Sequence, residues 1–178
     1  MREAIVGFVR HGRAFGRDRR GATIVEFALI ALPFFLLLGS ILEVGILFTG
    51  SAMLEKATAD AARMVRTGQV QGANMNSTQF KNLICNEITP VLSCNGLQVD
   101  VESFASFDNI TITNPIGSNG NLNGGLSSYN AGSAGNIVLV RTFYQWDIMM
   151  PLLKPFFSNL SNGDYLLTST AAFRNEPF

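Results

Sequence analysis

Histidine is all but missing from this chain: His11 is the only one among 178 residues. Cysteine is nearly as scarce, with Cys85 and Cys94 alone, and two thiolates without a histidine near them make a poor zinc site. No nucleophile–base signature, phosphate-cradling glycine loop or metal-ligand spacing occurs, so the residues equip no enzyme and imply no cofactor or metal. Charge is sparse too, at 15% of residues with a formal net charge of zero. Beyond residue 21 the seven cations are scattered, which argues against nucleic acid as a partner. Asp100, Glu102 and Asp108 come nearest to an acid pair or a set of calcium ligands. On an alternating strand, however, Asp100 and Glu102 share the solvent face, and ordinary solvation accounts for them.

The neutral total conceals an asymmetry. Residues 1–21 hold six arginines against Glu3 and Asp18, a local balance of +4, which leaves the remainder at −4. Directly after this basic stretch comes an apolar run from Ala22 to Thr49, uncharged from Phe27 to Leu42 and interrupted only by Glu26 and Glu43. About 20 helical residues at roughly 1.5 Å each cover a hydrocarbon core of about 30 Å, so this run is long enough to span a bilayer. Arginines before a span stay on the cytoplasmic side, which predicts an exported C-terminal part. In an oxidising compartment Cys85 and Cys94 are expected to form a disulfide.

The chain is expected to divide into a basic leader (1–21), a transmembrane helix (22–50), an amphipathic extension (51–72) and an exported α+β domain (73–178). One helix is predicted from about Arg20 to Val70, with Pro33 loosening or kinking a turn. In its second half Leu54, Ala57, Ala61 and Val65 recur at helical spacing, against Glu55, Lys56, Asp60, Arg63 and Arg66 on the other side. Gly68 and Gly72 are its expected stops. A shorter helix is predicted over 77–92, capped by Ser77 or Thr78, with Phe80, Leu83, Ile84 and Ile88 on one face and Pro90 ending it. Strands are expected at 97–104, at 108–113 with Ile110 and Ile112 on one face, at 136–146 and at 165–175. They compose a small antiparallel sheet. Residues 149–157, carrying Pro151 and Pro155, read as a packed connector or broken helix. The Gly/Asn/Ser stretch 114–135 reads as a mobile, exposed loop.

The most informative segment is RDRRGATIVEFALIALPFFLLL. A cut between Gly21 and Ala22 would make Glu26 the fifth residue of the mature chain. The segment resembles the processing site of type IV prepilins, in which a membrane aspartyl peptidase cuts after glycine and leaves the hydrophobic helix in place. A carboxylate in hydrocarbon is costly unless paired. The resemblance implies a pairing of Glu26 with the new amino group of Ala22 on a neighbouring subunit. A plainer account places Glu26 in the first helical turn, near headgroups, where the helix dipole favours it.

Together with the small-residue helix LEKATADAARMVRTGQ, the cysteine pair and the ending TAAFRNEPF, this segment resembles the TadE-like family. These are pseudopilin-like proteins of the tight-adherence (Flp) pilus system. Phe27 stands where tyrosine is frequent in that family. The resemblance implies a pilin-like fold and a minor structural subunit of the bacterial inner membrane. Its expected partners are a prepilin peptidase, other pilins and pseudopilins, the inner-membrane assembly platform and membrane lipid. Glu43 is open to two readings, an inter-subunit polar contact or a position at the outer interface; counting 20 residues from Ala22 favours the second. Two rivals remain. One is a secreted protein cut after Ala52, against which the helical pattern runs straight through that site. The other is a signal-anchored periplasmic binding or adhesion module outside any pilus.

Overall fold

The computed structural model describes residues 20–89 and 91–178. Residues 1–19, which hold most of the expected leader, and Pro90, the expected helix stop, lie outside the described residues. The chain is α+β and divides after Ile41 into two units.

Helix α1 runs from Arg20 to Arg66, with Pro33 inside it. Residues up to Ile41 belong to the first unit, and those from Leu42 onward to the second. In the second unit Leu54, Ala57, Ala61 and Val65 are buried, as their spacing predicts, and Thr58 and Ala62 are buried with them. Small side chains on this face let the helix axis approach the sheet. The Thr58 hydroxyl, besides donating to the Leu54 carbonyl, lies 2.7 Å from the Thr142 hydroxyl. The helix stops at Gly68, whose φ of 77° is a left-handed geometry open to glycine. A one-turn helix, α2 (Gln69–Gly72), follows.

Helix α3 (Ser77–Ile88) buries Phe80, Ile84 and Ile88, while Leu83 is half-buried against the same core. Its cap is Asn76 rather than Ser77 or Thr78. The Asn76 side chain accepts from the Gln79 N–H, and the Gln79 side chain accepts from the Asn76 N–H, a reciprocal capping box. Cys85 near its end is bonded to Cys94, which opens a short 3-10 turn leading into the sheet.

The sheet has three antiparallel strands in the order β1 (Leu97–Phe104), β2 (Ile137–Trp146), β3 (Tyr165–Arg174). Register pairs Val101 with Val140 and Asp100 with Arg141 across β1 and β2, and Val140 with Ala171 across β2 and β3. One face packs Leu97, Val101, Val138, Val140, Tyr144, Trp146 and Leu167 into the main core with α1 and α3. The other face is covered as well. Phe143 and Leu166 pack there with Leu126 and Leu160, flanked by Ile116 and Leu122. Strand β2 is therefore buried on both sides, which is why its sequence is a near-continuous apolar run.

Two expectations need correction here. The stretch 114–135 is not simply exposed: it follows a defined path over the second face of the sheet. Gln98 donates to the carbonyls of Asn123 and Leu126, and Val101 forms a parallel bridge to Tyr129. The Val101 N–H donates to the Ser128 carbonyl at 2.8 Å, and the Asn130 N–H donates to the Val101 carbonyl at 2.9 Å. Asx turns by Asn114, Asn119, Asn123 and Asn130 supply local backbone partners, so a segment poor in apolar residues still orders around its few leucines. Residues 108–113 form no strand. Asp108 and Asn109 lie in a 3-10 turn (Phe107–Asn109), Ile110 is half-buried and Ile112 is exposed. The sheet is completed by β1, β2 and β3 without them, and the Thr113 carbonyl accepts from Arg141 Nη1 rather than from a neighbouring strand. Residues 149–157 are a turn-rich connector with one helical turn, α4 (Lys154–Phe157), as their prolines suggest.

Candidate assembly site on the N-terminal helix

Apolar side chains on the first unit of α1 face outward. Ile24, Phe27, Leu29, Ile30, Leu32 and Leu37 are each more than half exposed. An all-round apolar surface of this kind is stable when something other than water covers it. The one polar side chain between Phe27 and Leu42 is also dealt with: the Ser40 hydroxyl donates to the Leu36 carbonyl at 2.7 Å. Ala22 and Glu26 lie four residues apart on this helix and therefore on one face, both exposed, with Phe27 beside them. At Gly21, among the described residues, no other side chain or loop lies within 4 Å of where a Cβ would stand.

Glu43 is unavailable to a neighbouring subunit, the first sequence reading, and compatible with the second, a level at the outer interface. It is 4% exposed, and its carboxylate accepts the N–H groups of Met149 and Met150 at 2.8 and 3.1 Å. It is thus an internal acceptor of the second unit, satisfied by two backbone donors, as a buried carboxylate requires. Nothing in the local pattern announces it, because the donors come from residues more than 100 positions away.

Asp100 also departs from expectation. It is fully buried, as is Arg141 but for 2%. The Arg141 Nη2 and Nε donate to Asp100 Oδ2 at 2.7 and 3.1 Å, and the Ser128 N–H donates to Oδ1 at 2.9 Å. Nη2 also reaches Glu102 Oε1 at 3.2 Å, and Nη1 donates to the Thr113 carbonyl at 2.9 Å. Burial first, then the Asp100 charge and a hydrogen bond to Asp100, raise the Glu102 carboxyl above its ordinary range, outweighing the guanidinium. With both Asp100 oxygens engaged by donors, the cluster is a clamp between sheet and covering loop. Asp108 stands apart from it, exposed. The readable signal was Arg141 itself, a lone cation in the most apolar strand. No group of three or more His, Cys, Asp or Glu side chains suited to a metal occurs among the described residues.

Fold and site together define an α+β protein whose N-terminal helix is long and apolar enough to cross a membrane. More particularly, residues 21–63 match the family model described as TadE-like protein, the family that the sequence resembles. The match covers most of α1 and stops short of the sheet. No curated protein and no solved structure matches the chain.

Proposed function

We propose that the chain is a minor pilin or pseudopilin, a structural subunit for assembly or initiation of a Flp (Tad) pilus. The observation that carries this reading is the TadE-like match over residues 21–63, on a helix whose apolar residues are turned outward. In this reading a prepilin peptidase cuts between Gly21 and Ala22, and the helix remains as a single-pass anchor in the inner membrane. The N-terminus is cytoplasmic and the sheet domain periplasmic. The new amino group of Ala22 pairs with Glu26 of a neighbouring copy or homologue, so that a charge costly in hydrocarbon selects axial register. The exposed face around Phe27 packs against other pilins, the assembly platform and lipid. Function consists of processing and association, without turnover of a substrate. Two features support an oxidising, exported location for the second unit: the Cys85–Cys94 disulfide, and the absence of any other cysteine.

The test is N-terminal sequencing of the protein from native membranes, paired with pilus counts in a deletion strain complemented with Glu26→Ala. Ala22 as first residue and a sharp loss of pili are expected. An intact Met1 with an active leader peptidase present, or a start at Met53, overturns processing; normal pilus number with Glu26→Ala overturns the pairing role.

A further inference from the structure

The segment Met149–Phe157 carries a surface that neither the main core nor the proposed assembly helix uses. Met149, Leu152 and Phe156 are 59%, 58% and 80% exposed, and Phe48 of α1 is 67% exposed. Lys154 is the only charged residue from Ile148 to Phe157. A largely apolar cavity of about 180 Å³ opens beside the segment, lined by Glu43 together with Val44, Leu47, Phe48, Ile148, Phe157 and Tyr165.

Backbone chemistry indicates which medium this surface suits. Among the ten residues Met149–Ser158, Pro151 and Pro155 have no N–H. Of the other eight N–H groups, seven already have acceptors. Those of Met149 and Met150 go to the Glu43 carboxylate, and those of Leu153, Lys154, Phe156, Phe157 and Ser158 go to carbonyls within the segment. A protein partner or water supplies acceptors to a loop, whereas lipid supplies none, so a loop entering lipid must satisfy itself.

Depth along the chain agrees. Twenty residues counted from Ala22 end the span at Ile41; counted from Phe27, the first after Glu26, they end at Ile46. Either count puts Glu43 within about 5 Å of the boundary of the hydrocarbon core, at about 1.5 Å per residue. Glu43 holds Met149 and Met150 at that same level. Lys154, its Nζ 2.8 Å from Asp147 Oδ1, is a residue type whose apolar stem and charged end suit an interface.

We propose that Met149–Phe157, together with Phe48, is a second lipid-contacting element. It inserts Met149, Leu152 and Phe156 into the headgroup–acyl boundary of the leaflet that the span reaches near Leu42. This rests on the reading of residues 22–42 as a membrane span. The element gives the second unit a preferred face toward the bilayer, with the buried Glu43 carboxylate as the pin that keeps the loop in place.

The test uses the full chain, one copy per nanodisc of phosphatidylethanolamine and phosphatidylglycerol. A nitroxide is attached in turn at Leu152→Cys, Phe156→Cys, Leu37→Cys in the span and Ser127→Cys on the covering loop. The native cysteines are bonded to each other and leave each new thiol as the single labelling site. Power saturation with oxygen and a water-soluble nickel chelate reads depth, and Trp146 emission checks the fold of each variant. The expected oxygen-to-nickel ratio at residues 152 and 156 is at least about threefold that at residue 127, as for groups buried in the acyl boundary. A deep residue 37 with residues 152 and 156 as wet as residue 127 overturns the proposal and leaves the span standing. Protection at residues 152 and 156 that appears only with several copies per disc assigns the face to a second copy, and overturns it too. A water-exposed residue 37 removes the span, and the proposal with it.

Discussion

Asp100→Asn is the sharpest test of the packing between the sheet and its covering segment. In the native protein Arg141 is 2% exposed and donates twice to Asp100 Oδ2. The amide has a single acceptor oxygen. Either the Ser128 N–H or the guanidinium then faces an NH₂ group, and the positive charge loses its closest counter-charge. Removing one member of a buried pair costs about 3–5 kcal/mol. The low end applies here, because Glu102 still faces Nη2 at 3.2 Å and the Thr113 carbonyl still accepts from Nη1 at 2.9 Å. About 3 kcal/mol with a urea m-value of about 2 kcal/mol/M moves the unfolding midpoint down by about 1.5 M. The assay is urea unfolding of the full chain in mild detergent, followed by Trp146 emission. The double variant Asp100→Leu with Arg141→Met removes both charges, and its loss is expected to stay below about 1.5 kcal/mol. A single variant within about 1 kcal/mol of the parent refutes the reasoning, and so does a double variant as unstable as the single.

Three further outcomes are expected. Glu102 has a folded-state carboxyl raised above its ordinary value, so the folded state holds that proton more tightly than the unfolded chain does. Its contribution is therefore full at acidic pH and is lost as pH rises through the raised value; Glu102→Gln should remove this slope from a stability–pH profile without lowering neutral stability. Reducing the Cys85–Cys94 bond, or replacing both residues with serine, should cost about 2.5–3 kcal/mol by loop entropy, read as a lower urea midpoint. Gly68→Ala places a Cβ against the Phe178 ring on a backbone of φ 77°, and a loss of about 1–2 kcal/mol in the same assay is expected.

What the sequence disclosed follows the range of the interactions involved. Helix α1 was legible because its signal is local: an apolar run, then Leu54, Ala57, Ala61 and Val65 at helical spacing. Strands β1, β2 and β3 were legible for the same reason. The disulfide was legible from the predicted export of a domain that carries only two cysteines. Asp100 was misread because alternation reports which residues share a face, not whether that face meets water. Its partner Arg141 lies 41 residues away, and the residues that cover it looked like solvent loop. The internal bonding of Glu43 was hidden for the same reason, since its donors are 106 and 107 residues distant. At 108–113 a period of two was present without strand pairing, and periodicity alone does not make a sheet. The proposed roles of Gly21, Ala22, Glu26 and Phe27 come from resemblance to a family, whose model spans those positions.

A three-stranded sheet ordinarily offers two unpaired borders to its surroundings. Here Ser128–Asn130 occupies the outer border of β1, leaving β3 as the border without a strand beside it. Strand addition between identical molecules would use β3 on each, and it would end at a pair because neither member has a second border to offer. Open-ended growth by sheet extension is therefore closed to this protein, and any assembly larger than a pair rests on surfaces outside the sheet.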